Sequence, residues 1–177
     1  MMTELEPRLP LGDTGVAPIA RELREAMEAF AAAAMRAGTV DPITTELVRL
    51  RCAGYHDCRL CGSLRLEAAR LAGVDEEMAA KIATYESSDL PERAKVALRL
   101  ADAVIIDPRS ASPELAEELH RHFSDEQIAE LLLDVMKWSR QKELVALRLE
   151  TPPWSGTNVL GFDDAGEPVF GAAALSS

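Results

Sequence analysis

Cys58 and Cys61, in the run Asp57-Cys58-Arg59-Leu60-Cys61, are the residues of this sequence best equipped to do chemistry. At this spacing two sulfurs can close a disulfide with little backbone motion, so that one attacks and the other resolves. The run sits where a turn should enter a helix, with Cys58 near the N-cap and Cys61 in the first turn. There, unpaired backbone N–H groups and the positive end of the helix dipole favour thiolate over thiol. Arg59 and Arg65 add to that effect, and Asp57 opposes it. Two other readings of the cysteines stand beside this one. They could be small buried hydrophobes without reactivity, or Cys52, His56, Cys58 and Cys61 could together ligate zinc. Against zinc, Cys52 lies about 240° around a helix from Glu46 and so faces away from the proposed site. Four ligands on one helix-turn segment are also cramped.

Glu46 is the second residue out of keeping with its surroundings. Its helical neighbours Ile43, Leu50 and Ala53 are apolar, so the carboxylate belongs to the buried face. Arg65 is bracketed in the same way by Leu64, Ala68 and Ala72. With a turn centred near His56, an antiparallel helical hairpin would set Glu46 and Arg65 at the same height. Cys61 would then lie a turn closer to the loop. The expected Glu46–Arg65 pair can be read as catalytic or as a structural brace.

The elements that must hold these residues read as helices. An Ala-rich segment from Pro18 to Ala37 places Leu23, Met27, Phe30 and Ala34 at helical spacing, and Gly38 is expected to end it. Asp41-Pro42 opens a second helix as N-cap and first turn. Cys58 to Leu71 reads as a third, closed by Gly73, and a short one runs from Asp75 to about Tyr85. Pro91 opens another, with Ala94, Ala97, Leu98, Ala101, Val104 and Ile105 on one face. Ser112-Pro113 starts a short helix. Ser124 with Gln127 is a capping-box signature for a long final helix carrying Leu131, Val135, Trp138 and Val145. The expected architecture is an all-α domain over residues 17–150, with an irregular N-terminal arm over 1–16. A C-terminal extension over 151–177 has composition suited to a small hairpin between Val159 and Phe170.

Composition excludes several classes of function. Of the 177 residues 47% are hydrophobic and 28% charged, which suits a soluble globular domain. The formal net charge of −11 argues against nucleic acid and against anionic membrane surfaces. No apolar run reaches the roughly 18 residues of a membrane span, and the acidic, proline-bearing start is unlike a signal peptide. A cytoplasmic protein is expected, and there a Cys-x-x-Cys is redox or metal chemistry more often than a structural disulfide.

The stretch from Glu46 through Cys58 and Cys61 to Arg65 resembles the carboxymuconolactone decarboxylase-like superfamily, and most closely its alkylhydroperoxidase D-type branch. That branch's pattern is a Glu, eleven residues, Cys-x-x-Cys, three residues and then His; Glu46, Cys58 and Cys61 match at those spacings. The resemblance covers roughly residues 41–106. It implies an all-α, AhpD-like fold of about six to seven helices and a thiol-dependent peroxidase or dithiol–disulfide oxidoreductase. Cys61 would be the attacking thiolate, Cys58 the resolving thiol and Glu46 the base. It further implies a hydroperoxide substrate, an external dithiol reductant, no metal or organic cofactor, and a homo-oligomer, trimer or hexamer. Arg65 stands where the family has His. A guanidinium does not give up its proton near neutral pH, so Arg65 could hold Cys61 as thiolate or pair with Glu46, but not relay a proton. His56 is the nearby imidazole that could substitute. Lactone decarboxylation, which uses no cysteine pair, and a non-catalytic redox-sensing or ligand-binding module are the alternatives.

Overall fold

A computed structural model of the chain describes residues 6–10, 20–163 and 168–171. Gly12, Gly15 and Pro18, and Asp164, Ala165 and Gly166, lie outside the described residues. The fold is the all-α helical domain expected, with a small three-stranded sheet added. No helix among the described residues is long and apolar enough to cross a membrane.

α1 (Arg21–Arg36) buries no residue fully. It ends at Ala37, whose extended backbone (φ −63°, ψ 137°) stops the helix before Gly38, so no left-handed glycine is needed there. α2 (Pro42–His56) is capped by Asp41, which accepts from the Thr44 N–H at 2.9 Å, and carries Pro42 in its first turn. Its far end is closed by Asp57 in the left-handed region (φ 54°), which turns the chain back so that Cys58 begins the next element.

That next element departs from the expected single helix over Cys58–Leu71. It is three pieces: α3 (Arg59–Gly62), β1 (Leu64–Leu66) and α4 (Glu67–Leu71). The cause lies across in α2. The Arg49 guanidinium donates to the Cys61 carbonyl at 2.7 Å and the Leu64 carbonyl at 2.6 Å, and the Leu66 N–H donates to Glu46 at 3.2 Å. Backbone groups that would have continued the helix are thus taken by one buried ion pair. α4 closes at Gly73 in a positive-φ turn (104°), as expected.

α5 (Glu76–Ala80) runs into a 3-10 turn (Lys81–Ser87), and α6 (Glu92–Ile106) crosses the molecule with seven buried residues. α7 (Pro113–His122) is capped by Ser112, and the capping box of Ser124 and Gln127 opens α8 (Asp125–Trp138). The long final helix is interrupted: Arg140 N–H bonds back to Lys137, and Glu143 N–H to Arg140, before α9 (Gln141–Ala146) resumes. These three-residue bonds tighten the chain enough to turn it.

The core is the shared interior of α2, α6 and α8, with Leu47, Val48, Cys52, Val96, Leu98, Leu131 and Val135 at its centre. Each such aliphatic side chain contributes about 1.5–3 kcal/mol by leaving water. A second, smaller cluster of Leu64, Leu66, Ala69, Val74 and Leu160 lies under the sheet. β2 (Asn158–Phe162) pairs in parallel with β1, Leu64 opposite Asn158, and β3 (Pro168–Phe170) returns antiparallel to β2. The expected hairpin is therefore present, and it is laid on the strand that follows the cysteine pair.

Candidate active site

The site is built from the inside outward, beginning with a pair of charges that water does not reach. Glu46 is 0% and Arg49 1% exposed, and they face each other one turn apart on α2. Arg49 Nε donates to Glu46 Oε2 at 2.6 Å, and Nη2 to Oε1 at 2.8 Å. With the Leu66 N–H also on Oε1, both carboxylate oxygens are occupied. The expected Glu46–Arg65 pair is not formed. Arg65, carried outward on β1 instead of along a helix, makes a two-pronged pair with Glu76 at 2.9 and 2.7 Å. Arg49 was missed in the sequence although it lies three residues after Glu46, the spacing of helical ion pairs. Its neighbours Val48 and Leu50 marked the same apolar surroundings.

The ion pair holds the cysteine loop by the Cys61 carbonyl. Cys58 is the N-cap of α3, and its Sγ accepts from the Cys61 N–H at 3.4 Å. The two sulfurs are 2.6 Å apart and both cysteines are free. Cys58 is buried at 2% exposure, while Cys61 is half-buried and the more accessible of the two. The charge, however, does not fall where the sequence suggested. The hydrogen bond between the two sulfurs holds the Cys58 thiol below its ordinary value, helped by the Cys61 N–H and Arg49, against burial and the charge of Glu150. The same contact, together with burial, pushes Cys61 up. α3 is a single turn, so this effect comes from one N–H and one S–H rather than from a helix dipole.

Three further groups from neighbouring segments of the chain bear on the site. His56, at the end of α2, is half-buried with its Nε2 lacking a hydrogen-bond partner among the described residues. Burial, with the charge of Lys142, lowers its pKa, so it is neutral near pH 7. Glu150 is 1% exposed; its backbone carbonyl accepts from the Leu60 N–H at 2.8 Å, and its Oε1 from Arg59 at 3.1 Å. No periodicity pointed to Glu150, which lies beyond the last helix. Cys52 is sealed in the core, where burial pushes its thiol up to about 12, so it takes no part. Among the described residues no three His, Cys, Asp or Glu side chains are grouped to hold a metal ion. Beside Gly62 a cleft of about 620 Å³ opens between α2, β1 and α5, lined by Leu50, Arg51, Tyr55, Arg65 and Ile82.

A helical scaffold that sets a Cys-x-x-Cys pair over a buried Glu–Arg ion pair is a recognisable class. Residues 21–103, 83 of the 177, match the model of the carboxymuconolactone decarboxylase family. Two uncharacterized proteins of Mycobacterium tuberculosis, from strains H37Rv and CDC 1551 / Oshkosh, are each 40% identical over 144 residues, 80% of this chain. The chain spans about half the length, 51%, of these curated relatives. A crystal structure of a protein of unknown function from Agrobacterium tumefaciens, described as a candidate antioxidant defence protein AhpD, superposes with a TM-score of 0.68. It is 20% identical, over 85% of this chain and all of that one, and so shows the fold alone.

Proposed function

We propose that the chain is a dithiol–disulfide oxidoreductase of the thiol-peroxidase type, with Cys58 and Cys61 as its redox centre. One observation carries this reading: two free sulfurs at 2.6 Å, one buried, the other half-buried and more accessible. Loss of its proton makes Cys61 the nucleophile. Its thiolate attacks the peroxide O–O bond, giving a Cys61 sulfenic acid and an alkoxide that takes a proton from solvent. Cys58 then bonds to the Cys61 sulfur and expels hydroxide, and an external dithiol returns the disulfide to the reduced pair. Arg49 and Glu46 position the loop, with Glu46 acting as a brace rather than as the base. The cycle requires no metal or organic cofactor.

Consumption of an alkyl hydroperoxide with a dithiol reductant tests the proposal. Wild type should turn over, and Cys58→Ser and Cys61→Ser should each lose turnover; activity surviving in either variant sinks it. A second reading, reversible thiol–disulfide exchange without fast peroxide turnover, is favoured by the occupied oxygens of Glu46 and by Arg65 in place of an imidazole. In that case wild type forms a reversible disulfide but leaves peroxide unspent. A cytoplasmic homo-oligomer, trimer or hexamer, belongs to the same proposal, and sedimentation equilibrium of the purified chain would overturn it by returning the monomer mass.

A further inference from the structure

Away from the cysteines, a groove of about 370 Å³ runs between α1 and α8. From the α1 side it is lined by Phe30, Ala34 and Ala37, and from α8 by Ala129 and Leu133. Alanines are too small to close the gap, in keeping with an α1 that buries no residue fully. The charged residues of the lining are all acids: Glu126, Glu130 and Asp134, at four-residue spacing along one edge of α8. Their situations differ. Glu126 is exposed in the first turn of the helix. Glu130 is occupied, its oxygens accepting from the N–H groups of Thr39 and Val40 and from the Thr39 hydroxyl. Asp134 is 3% exposed, and no donor among the described residues reaches its carboxylate. Lys137, one turn on, is the natural counter-ion, but its ammonium lies 3.5 Å from the Trp138 ring centroid and makes no hydrogen bond. An unpaired carboxylate on an apolar wall costs stability rather than adding it. What it offers is a place for a positive charge brought from outside.

We propose that this groove binds a small amphipathic cation, its apolar body lying along the alanines and its ammonium on Asp134. Charge selects that occupant over a neutral or acidic one. α1 contributes no charged group to the lining and α8 only carboxylates, and a chain of net charge −11 draws cations toward itself. Size selects a small molecule, because 370 Å³ falls at the lower end of ligand pockets. Glu126 lies about 12 Å from Asp134 along the helix axis, so a single ammonium meets one carboxylate or the other. Asp134 is the stronger site, since water does not screen a buried pair. Burial already holds the Asp134 carboxyl up at about 7, and a bound ammonium would relieve that cost. The groove includes neither Cys58 nor Cys61, so the proposal is independent of the redox reading.

Isothermal titration of the full chain at about pH 8, above the value of about 7 that burial gives Asp134, tests this with three probes of one shape. They are 4-phenylbutylamine, 4-phenylbutanol and 4-phenylbutyrate. The amine should bind at least about tenfold more tightly than the alcohol, the return expected of a hydrogen bond to a charged group, and the acid should bind weakest. Asp134→Asn keeps the shape and removes the charge, so the amine should fall to the affinity of the alcohol. Glu126→Gln should leave most of the preference in place. Ala129→Phe fills the groove and should abolish binding of amine and alcohol alike. An amine bound no more tightly than the alcohol by wild type, or a preference that survives in Asp134→Asn, overturns the proposal. A second copy of the chain in the groove overturns it too: wild type would then sediment as an oligomer that Ala129→Phe breaks into monomers, and the amine would not bind. Should Asp134→Asn fail to fold, methyl signals of wild type decide instead. Amine-induced shifts at Ala34 and Ala129 support the proposal, and shifts confined to other methyls overturn it.

Discussion

Glu46 shows how a single side chain can be legible in sequence while its partner is not. Its place on an apolar helical face was plain from Ile43, Leu50 and Ala53, and the structure buries it completely. The partner was sought across the hairpin at Arg65, on the premise that the helix after Cys58 is continuous. Arg49 supplies the counter-charge and, by seizing the Cys61 and Leu64 carbonyls, removes that continuity. Glu46 and Arg65 should therefore respond differently to mutation. Glu46→Ala strands the Arg49 charge in the interior and should cost about 3–5 kcal/mol in urea unfolding. Arg65→His breaks a pair whose acidic partner is 64% exposed and the Nη1 hydrogen bonds to the Gly62 and Leu64 carbonyls, and should cost about 1–2 kcal/mol. It should also leave peroxide turnover unchanged, since an imidazole at 65 meets no open oxygen on Glu46. A marked rise in turnover for Arg65→His would restore Glu46 as the base.

Helix starts were read well and helix ends less well, and the difference is physical. Asp41, Ser112 and Ser124 cap through local hydrogen bonds that depend on neighbouring residues only. The breaks at Gly62–Leu66 and at Ser139–Arg140 are set by tertiary contacts and by a tightening of the last turn, and neither Gly nor Pro signals the second. The turn between α2 and α3 was expected from Gly54 to Asp57, and the left-handed residue in it proves to be Asp57. An L-residue with a Cβ pays roughly 1–2 kcal/mol for that conformation, and a negative charge at a helix C-terminus adds to the cost. Asp57→Gly should thus raise stability by about 1 kcal/mol, read as a higher urea midpoint with an unchanged slope. A lower midpoint would mean that the Asp57 side chain makes a contact worth more than the backbone strain.

Across the molecule, the excess of acid is not confined to the surface. Asp134 is buried in α8, where desolvation pushes its carboxyl up to about 7, with Lys137 opposing the shift and Glu130 adding to it. Lys137, buried with its ammonium 3.5 Å from the Trp138 ring centroid, is lowered by burial to about 7. A raised carboxyl pKa means that the folded chain binds more protons than the unfolded one between 3.8 and about 7, so Asp134 withdraws stability as pH rises through that window. Thermal melts of Asp134→Asn and wild type should coincide near pH 4 and then separate, the variant melting increasingly higher toward pH 7. A constant or narrowing gap would show that Asp134 keeps its charge cheaply, through a partner other than Lys137.

The parallel pairing of β1 with β2 joins Leu64 to Asn158 and places the Asn158 N–H on the Ser63 carbonyl at 2.8 Å. The peptide wall behind the thiols is thus completed by a segment translated long after them, and such distant closures come late in folding. Until that strand arrives, the emerging polypeptide carries the Cys58 and Cys61 sulfhydryls without their finished setting.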